Sequence, residues 1–157
     1  MIRLGLAVAG ATLVIDQATK AYFYALLVGE GGRAIEVLPF FNLVTVWNYG
    51  ISFGLFNTGS PYTAYLLVAI ALAIVAALGF WLRSAAHPWI AIALGLIIGG
   101  AIGNVVDRLR FGAVFDFLDF HALGWHWPAF NVADSAITIG VLMLLIDALS
   151  ERKASSK

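Results

Sequence analysis

Four long apolar runs dominate the hydropathy pattern, at about 4–28, 61–82, 88–106 and 131–149. Each approaches the roughly 20 residues an α-helix needs to cross a hydrocarbon core. The last is the shortest, about 28 Å at 1.5 Å per residue, just enough to span. Pro61 and Pro88 stand at the starts of the second and third runs, where a missing N–H costs least. Between the first two runs the pattern changes. Residues 35–47 are rich in β-branched and aromatic side chains, as a small strand pair would be, and Asn48-Tyr49-Gly50 closes the stretch as a turn. The expectation is one membrane domain over residues 1–157, all-α in class, with substantial loops at about 29–60 and 107–130 on one side.

Composition sharpens this. Hydrophobic residues make up 62% of the chain and charged ones 11%. Ordinary soluble domains carry about 25% charged residues, so a soluble globule is excluded. Nine basic residues balance nine acidic ones, which leaves no net field to recruit nucleic acid. With no cysteine there are no disulfides, thiolate metal sites or cysteine nucleophile. Arg3 and the apolar residues after it imitate a secretory signal. That run continues to about Val28, however, and carries Asp16, Gln17 and Lys20, so it reads as a permanent span. Arg3, Arg83, Arg152, Lys153 and Lys157 flank the ends that the basic-residue bias places in the cytoplasm, termini included. No internal repeat is evident, which counts against an inverted-repeat transporter.

Charged residues at membrane depth are costly and mark function. Asp16 and Lys20 share a helix face at i,i+4 and can pair; the pair either tethers this helix to a neighbour or, as its level in the outer half of the span favours, lines a polar cavity beneath the loops. Asn48 and Gly50, with Ser52, Phe53 and Gly54 after them, supply an amide and a pliable backbone. Asn104 and Arg108 lie at i,i+4 near the end of the third run, with Asp107 between them, and support the acids or grip a substrate backbone. Asp116 sits among Val114, Phe115, Phe117 and Leu118. Asp134 falls in the first turn of the fourth run, where the helix dipole favours a negative charge, and Asn131 is placed to cap that helix. Two carboxylates sharing one site cannot both ionise cheaply, so one keeps its proton while the other acts as a base. Such a pair can activate water against an amide and protonate the leaving nitrogen. Small residues between Gly95 and Gly103 predict close helix packing. A serine site at Ser135 with His121 or His126 lacks a nucleophile elbow. Asp119, His121 and His126 match no metal spacing. A proton pathway through Asp16, Lys20 and Asp134, or a non-catalytic scaffold, fits less well with a site at the outer edge, away from the bilayer midplane.

The chain closely resembles the lipoprotein signal peptidases, or signal peptidase II, a bacterial family of membrane aspartic peptidases. The matching pieces are Asp16-Gln17-Ala18-Thr19-Lys20, Asn48-Tyr49-Gly50-Ile51-Ser52-Phe53-Gly54, Gly103-Asn104-Val105-Val106-Asp107-Arg108, Val114-Phe115-Asp116-Phe117 and Phe130-Asn131-Val132-Ala133-Asp134. They stand in the family's order; the family often has valine where Phe115 stands. The resemblance implies four transmembrane helices with a small extracytoplasmic β-sheet and a flexible periplasmic loop or helix, in the bacterial inner membrane. It implies cleavage of diacylglyceryl-modified prolipoproteins just before the lipidated cysteine, inhibition by globomycin, contact with membrane lipid, and no metal or other cofactor. Asp116 and Asp134 become the catalytic pair. Asp16, Lys20, Asn48, Gly50, Asn104, Asp107, Arg108 and Asn131 become the polar residues around it, with Asp107 structural. The expected unit is a monomer.

Overall fold

The computed structural model describes residues 1–50 and 61–155, so Ser52, Phe53 and Gly54 lie outside the described residues. In chain order the elements are α1 (Ile2–Gly29), β1 (Ile35–Leu38), β2 (Phe41–Asn48), α2 (Pro61–Arg83), α3 (Pro88–Phe111), β3 (Val114–Ala122), β4 (Trp125–His126) and α4 (Val132–Ser155). All four helices are long and apolar enough to cross a membrane.

Helix α3 is the centre of the bundle. In its most apolar stretch 61% of residues are buried, against 22%, 11% and 17% for α1, α2 and α4. The other three pack around it, and α2 and α4 rest on α3 rather than on each other. Its small residues explain why. Helices in lipid associate by close backbone contact instead of hydrophobic exclusion from water. A Cβ on Gly95 would fall 2.5 Å from the Gly5 carbonyl oxygen of α1, and one on Gly99 would strike that of Ala9. Toward α4, a Cβ on Gly100 would fall 2.5 Å from the Ala133 oxygen, and one on Gly140 2.6 Å from the Ala93 oxygen. The opposite faces of α2 and α4 carry exposed Leu66, Ile70, Ile139 and Leu142, the surface a lipid-facing helix needs.

The third helix runs five residues past the expected end at 106. Asp107 and Arg108 do not stop it because both are satisfied inside the protein, as shown below. Gly112 does: it takes a left-handed conformation (φ 73°) and its N–H donates to the Arg108 carbonyl at 2.9 Å, the usual glycine termination. The segment expected as a loop or helix then becomes β3, and no helix lies between Gly112 and Asn131. The four strands form an antiparallel sheet in the order β1-β2-β3-β4. It leans on the end of α1, where Phe23 stacks on Phe117 (ring centroids 4.7 Å) and Tyr24 meets Phe115 edge-on (5.6 Å).

The α1–α3 contact makes a stability prediction. Gly99→Ala forces the two backbones apart and destabilises the fold by about 1–3 kcal/mol. Gly10→Ala, where a Cβ meets nothing within 4 Å, leaves thermal unfolding in detergent unchanged or slightly later. Equal melting of the two variants would refute the packing argument.

Candidate active site

The site forms where β3, the start of α4 and the end of α3 converge. Strand β3 leaves Gly112 paired with β2, which sets Asp116 opposite Val46 and Val114 opposite Asn48. The chain passes through β4 and returns to β3 at Phe130. The N–H groups of Phe117 and Leu118 donate to the Phe130 oxygen at 3.1 and 2.9 Å, and the Phe130 N–H donates to the Leu118 oxygen at 3.1 Å. This clamp places Asn131, and hence the first turn of α4, against Asp116.

Asn131 caps α4 as expected, and the cap is reciprocal. The Asp134 N–H donates to Asn131 Oδ1 at 3.0 Å, and the Asn131 N–H donates to Asp134 Oδ2 at 3.2 Å. This is a capping box closed by Asp instead of Glu. The Asn131 amide also donates to Asp116 Oδ1 at 2.6 Å, so one residue touches both carboxylates. Asn48 donates to the other Asp116 oxygen at 3.2 Å, while its own oxygen accepts the Gly50 N–H at 3.1 Å. The Asn48–Gly50 stretch is therefore a turn that also delivers an amide to the site. Asn104 donates to Asp134 Oδ1 at 2.8 Å. Asp116 is only 1% exposed. Burial first, and then the neighbouring Asp134 charge, push its carboxyl up to about 7, against the Asn48 and Asn131 hydrogen bonds and the Lys20 charge.

Asp16 and Lys20 do not line the cavity; they form a buried ion cluster behind it. Lys20 Nζ contacts Asp16 at 3.0 Å, Asp107 at 2.9 Å and Asn104 Oδ1 at 3.1 Å. Asp16 also accepts the Ala133 N–H at 2.9 Å, and Asp107 accepts the Phe115 N–H at 3.2 Å. A lone carboxylate at this depth would be expensive, so both acids go to the ammonium and to backbone donors. Gln17, left out of the expected site, bridges them: its amide donates to Asp16 at 3.1 Å and to Asp107 at 3.0 Å. Its place beside Asp16 in an otherwise apolar run was the available signal. Arg108 grips carbonyls rather than carboxylates, donating to the Gly50 oxygen at 2.8 Å and the Asn104 oxygen at 3.5 Å. Its Nε is buried with no partner among the described residues.

Farther out, His126 Nδ1 lies 2.9 Å from Asp119, which also accepts from Asn42 at 3.0 Å, and the His121 ring stacks on His126. Ser135 spends its hydroxyl on the Asn131 carbonyl at 3.0 Å.

A cavity of about 240 Å³ opens beside the acids. Asn48, Asn104, Arg108 and Asp134 form its polar end; Ala71 and Ile74 of α2, Ile97 and Ala101 of α3 and Ile137 of α4 form an apolar slot leading away. The slot exists because α2 and α4 both pack on α3 and leave a groove between them.

These features define a polytopic membrane protein with a buried and a half-buried carboxylate tied together beside a groove between its helices. The sequence profile described as Signal peptidase (SPase) II matches residues 8–150, and the chain belongs to that family. It is 48% identical to the lipoprotein signal peptidase of Methylobacterium sp. (strain 4-46) over 93% of this chain and 88% of that one. It is 43% identical to that of Nitrobacter hamburgensis over 98% and 96%. A solved structure of a bacterial membrane enzyme superposes with a TM-score of 0.79 at 30% identity, covering 98% of this chain and 91% of the other.

The raised Asp116 carboxyl has a measurable consequence for the fold. Between an unfolded carboxyl near about 4 and the folded value, the native state binds more protons than the unfolded one, so stability falls as pH rises. Wild-type protein in detergent loses thermal stability relative to Asp116→Asn as pH goes from about 4 to about 8. A pH-independent difference would show that Asp116 titrates normally.

Proposed function

We propose that this chain is an aspartic endopeptidase that removes the signal peptide from diacylglyceryl-modified prolipoproteins, cutting just before the lipidated cysteine. The single observation that carries the catalytic assignment is that Asn131 ties Asp116 and Asp134 together beside the groove, both contacted by amides and, among the described residues, neither by a cation. Amides satisfy the oxygens without forcing both acids to ionise, so the pair can hold one proton.

The chemistry follows from that proton. The ionised member removes a proton from water as its oxygen bonds to the scissile carbonyl carbon. The protonated member donates to the carbonyl oxygen and stabilises the tetrahedral intermediate. Collapse breaks the carbon–nitrogen bond while a carboxyl returns a proton to the departing cysteine nitrogen. The two titrate as a unit, so the starting proton belongs to the pair. The Nε of Arg108, which has no partner among the described residues, is a donor for the substrate backbone at the polar end of the cavity.

The groove suits the substrate. An apolar signal segment can enter between α2 and α4 directly from lipid, with its scissile amide arriving at the polar end. The acyl chains stay in the bilayer throughout. In this reading the sheet faces the extracytoplasmic side of the bacterial inner membrane, both termini face the cytoplasm, and globomycin competes for the same cavity.

Asp116→Asn and Asp134→Asn each abolish conversion of a lipidated precursor, by at least about 10³-fold, while the protein still accumulates in the membrane. A gel-shift cleavage assay with matched protein amounts reads this. Full activity in either variant would reject the pair.

A further inference from the structure

An asparagine presents two chemically different ends, and which one meets a carboxylate depends on what holds the other. Three asparagines touch the acids, and each has its oxygen held by a donor. The Gly50 N–H holds Asn48 Oδ1 at 3.1 Å, and the Asp134 N–H holds Asn131 Oδ1 at 3.0 Å. Those donors belong to the backbone. At Asn104 the donor is a side chain from another helix: Lys20 Nζ donates to Oδ1 at 3.1 Å. An ammonium cannot accept, so the Asn104 Nδ2 must turn to Asp134, which it meets at 2.8 Å.

We propose that Lys20 is a positioning residue for the hydrolysis, acting through Asn104: it fixes which end of that amide faces Asp134 and so holds the carboxylate in its reactive orientation. Lys20 is itself held at 3.0 Å by Asp16 and 2.9 Å by Asp107, so the ammonium cannot swing toward the acids in place of the amide. Without it only the long 3.5 Å hydrogen bond from the Asn131 amide holds the Asn104 oxygen in place. The amide can turn and set oxygen against oxygen at Asp134. The Asn131 amide, already 3.5 Å from Asn104 Oδ1, can also be drawn off Asp116. The device makes the site competent only when α1 is docked on α3. This inference rests on the catalytic reading of the two acids.

The test is a double-mutant cycle on a lipidated precursor, with kcat and KM separated. Lys20→Met and Asn104→Leu each lower kcat by about 100-fold, the cost of a misplaced reacting group, with KM within about twofold. Combined, they fall far short of the product of the two losses, because the hydrogen-bonded path from Lys20 to Asp134 runs through Asn104 and only the longer-range pull of the ammonium on the acids is left to add. Losses that multiply in the double variant, or an unaffected Lys20→Met enzyme, would overturn the proposal. If Lys20→Met fails to accumulate, the same cycle is run in an Asp107→Asn background, where the lost acid offsets the lost ammonium and the same outcomes decide. Asp134→Asn separates the two failures: activity there rejects the catalytic reading, whereas multiplying losses beside an inactive Asp134→Asn reject only the role of Lys20.

Discussion

Two carboxylates, Asp116 buried and Asp134 half-buried, receive only amide donors among the described residues, and this constrains the rest of the structure. Had a cation bridged Asp116 or Asp134 directly, both acids would ionise and the proposed sharing of a proton would be lost. Among the described residues the two cations whose charges act on the acids, Lys20 and Arg108, are both engaged elsewhere. Lys20 is occupied by Asp16 and Asp107, and Arg108 by the carbonyl oxygens of Gly50 and Asn104. The acids receive Asn48, Asn104 and Asn131 instead. Asp16 and Asp107 thus serve the site indirectly: they hold the ammonium away from it.

The same economy shapes the fold. Small residues on α3 bring α1 and α4 close enough for Lys20 to reach Asn104 and for Asp16 to accept from the backbone of α4. The lipid-level groove exists because α2 and α4 each rest on α3. Strand β3 does for Asp116 what the capping box does for Asp134, fixing a carboxylate by backbone pairing rather than by side-chain burial alone.

Much of this was legible in the chain. The four helices follow from hydropathy because lipid admits few alternatives for an apolar run. The cap at Asn131 was legible because local spacing determines it. What escaped depended on contacts across sequence distance. Helix α3 outran its expected end because Asp107, which looks like an interfacial charge, is neutralised by Lys20 from another helix. Strand β3 was hidden by its own acids, since Asp116 and Asp119 interrupt a run whose aromatic residues otherwise favour a sheet. The Asp16–Lys20 pair is a helix–helix tether, one of two readings the sequence leaves open, because spacing along one helix does not reveal which neighbour its face meets.

The central claim is that Asp116 and Asp134 hold one proton between them near neutral pH. Infrared difference spectra of aspartate-labelled protein, recorded in lipid across pH 5 to 8, test it most directly. The account predicts a protonated carboxyl band that titrates at about 7, is lost in Asp116→Asn, and moves to lower pH in Asp134→Asn, where burial still raises the Asp116 carboxyl but the neighbouring charge is gone. A band that survives unchanged in either variant, or that titrates only near about 4 as an ordinary carboxylate does, would contradict it.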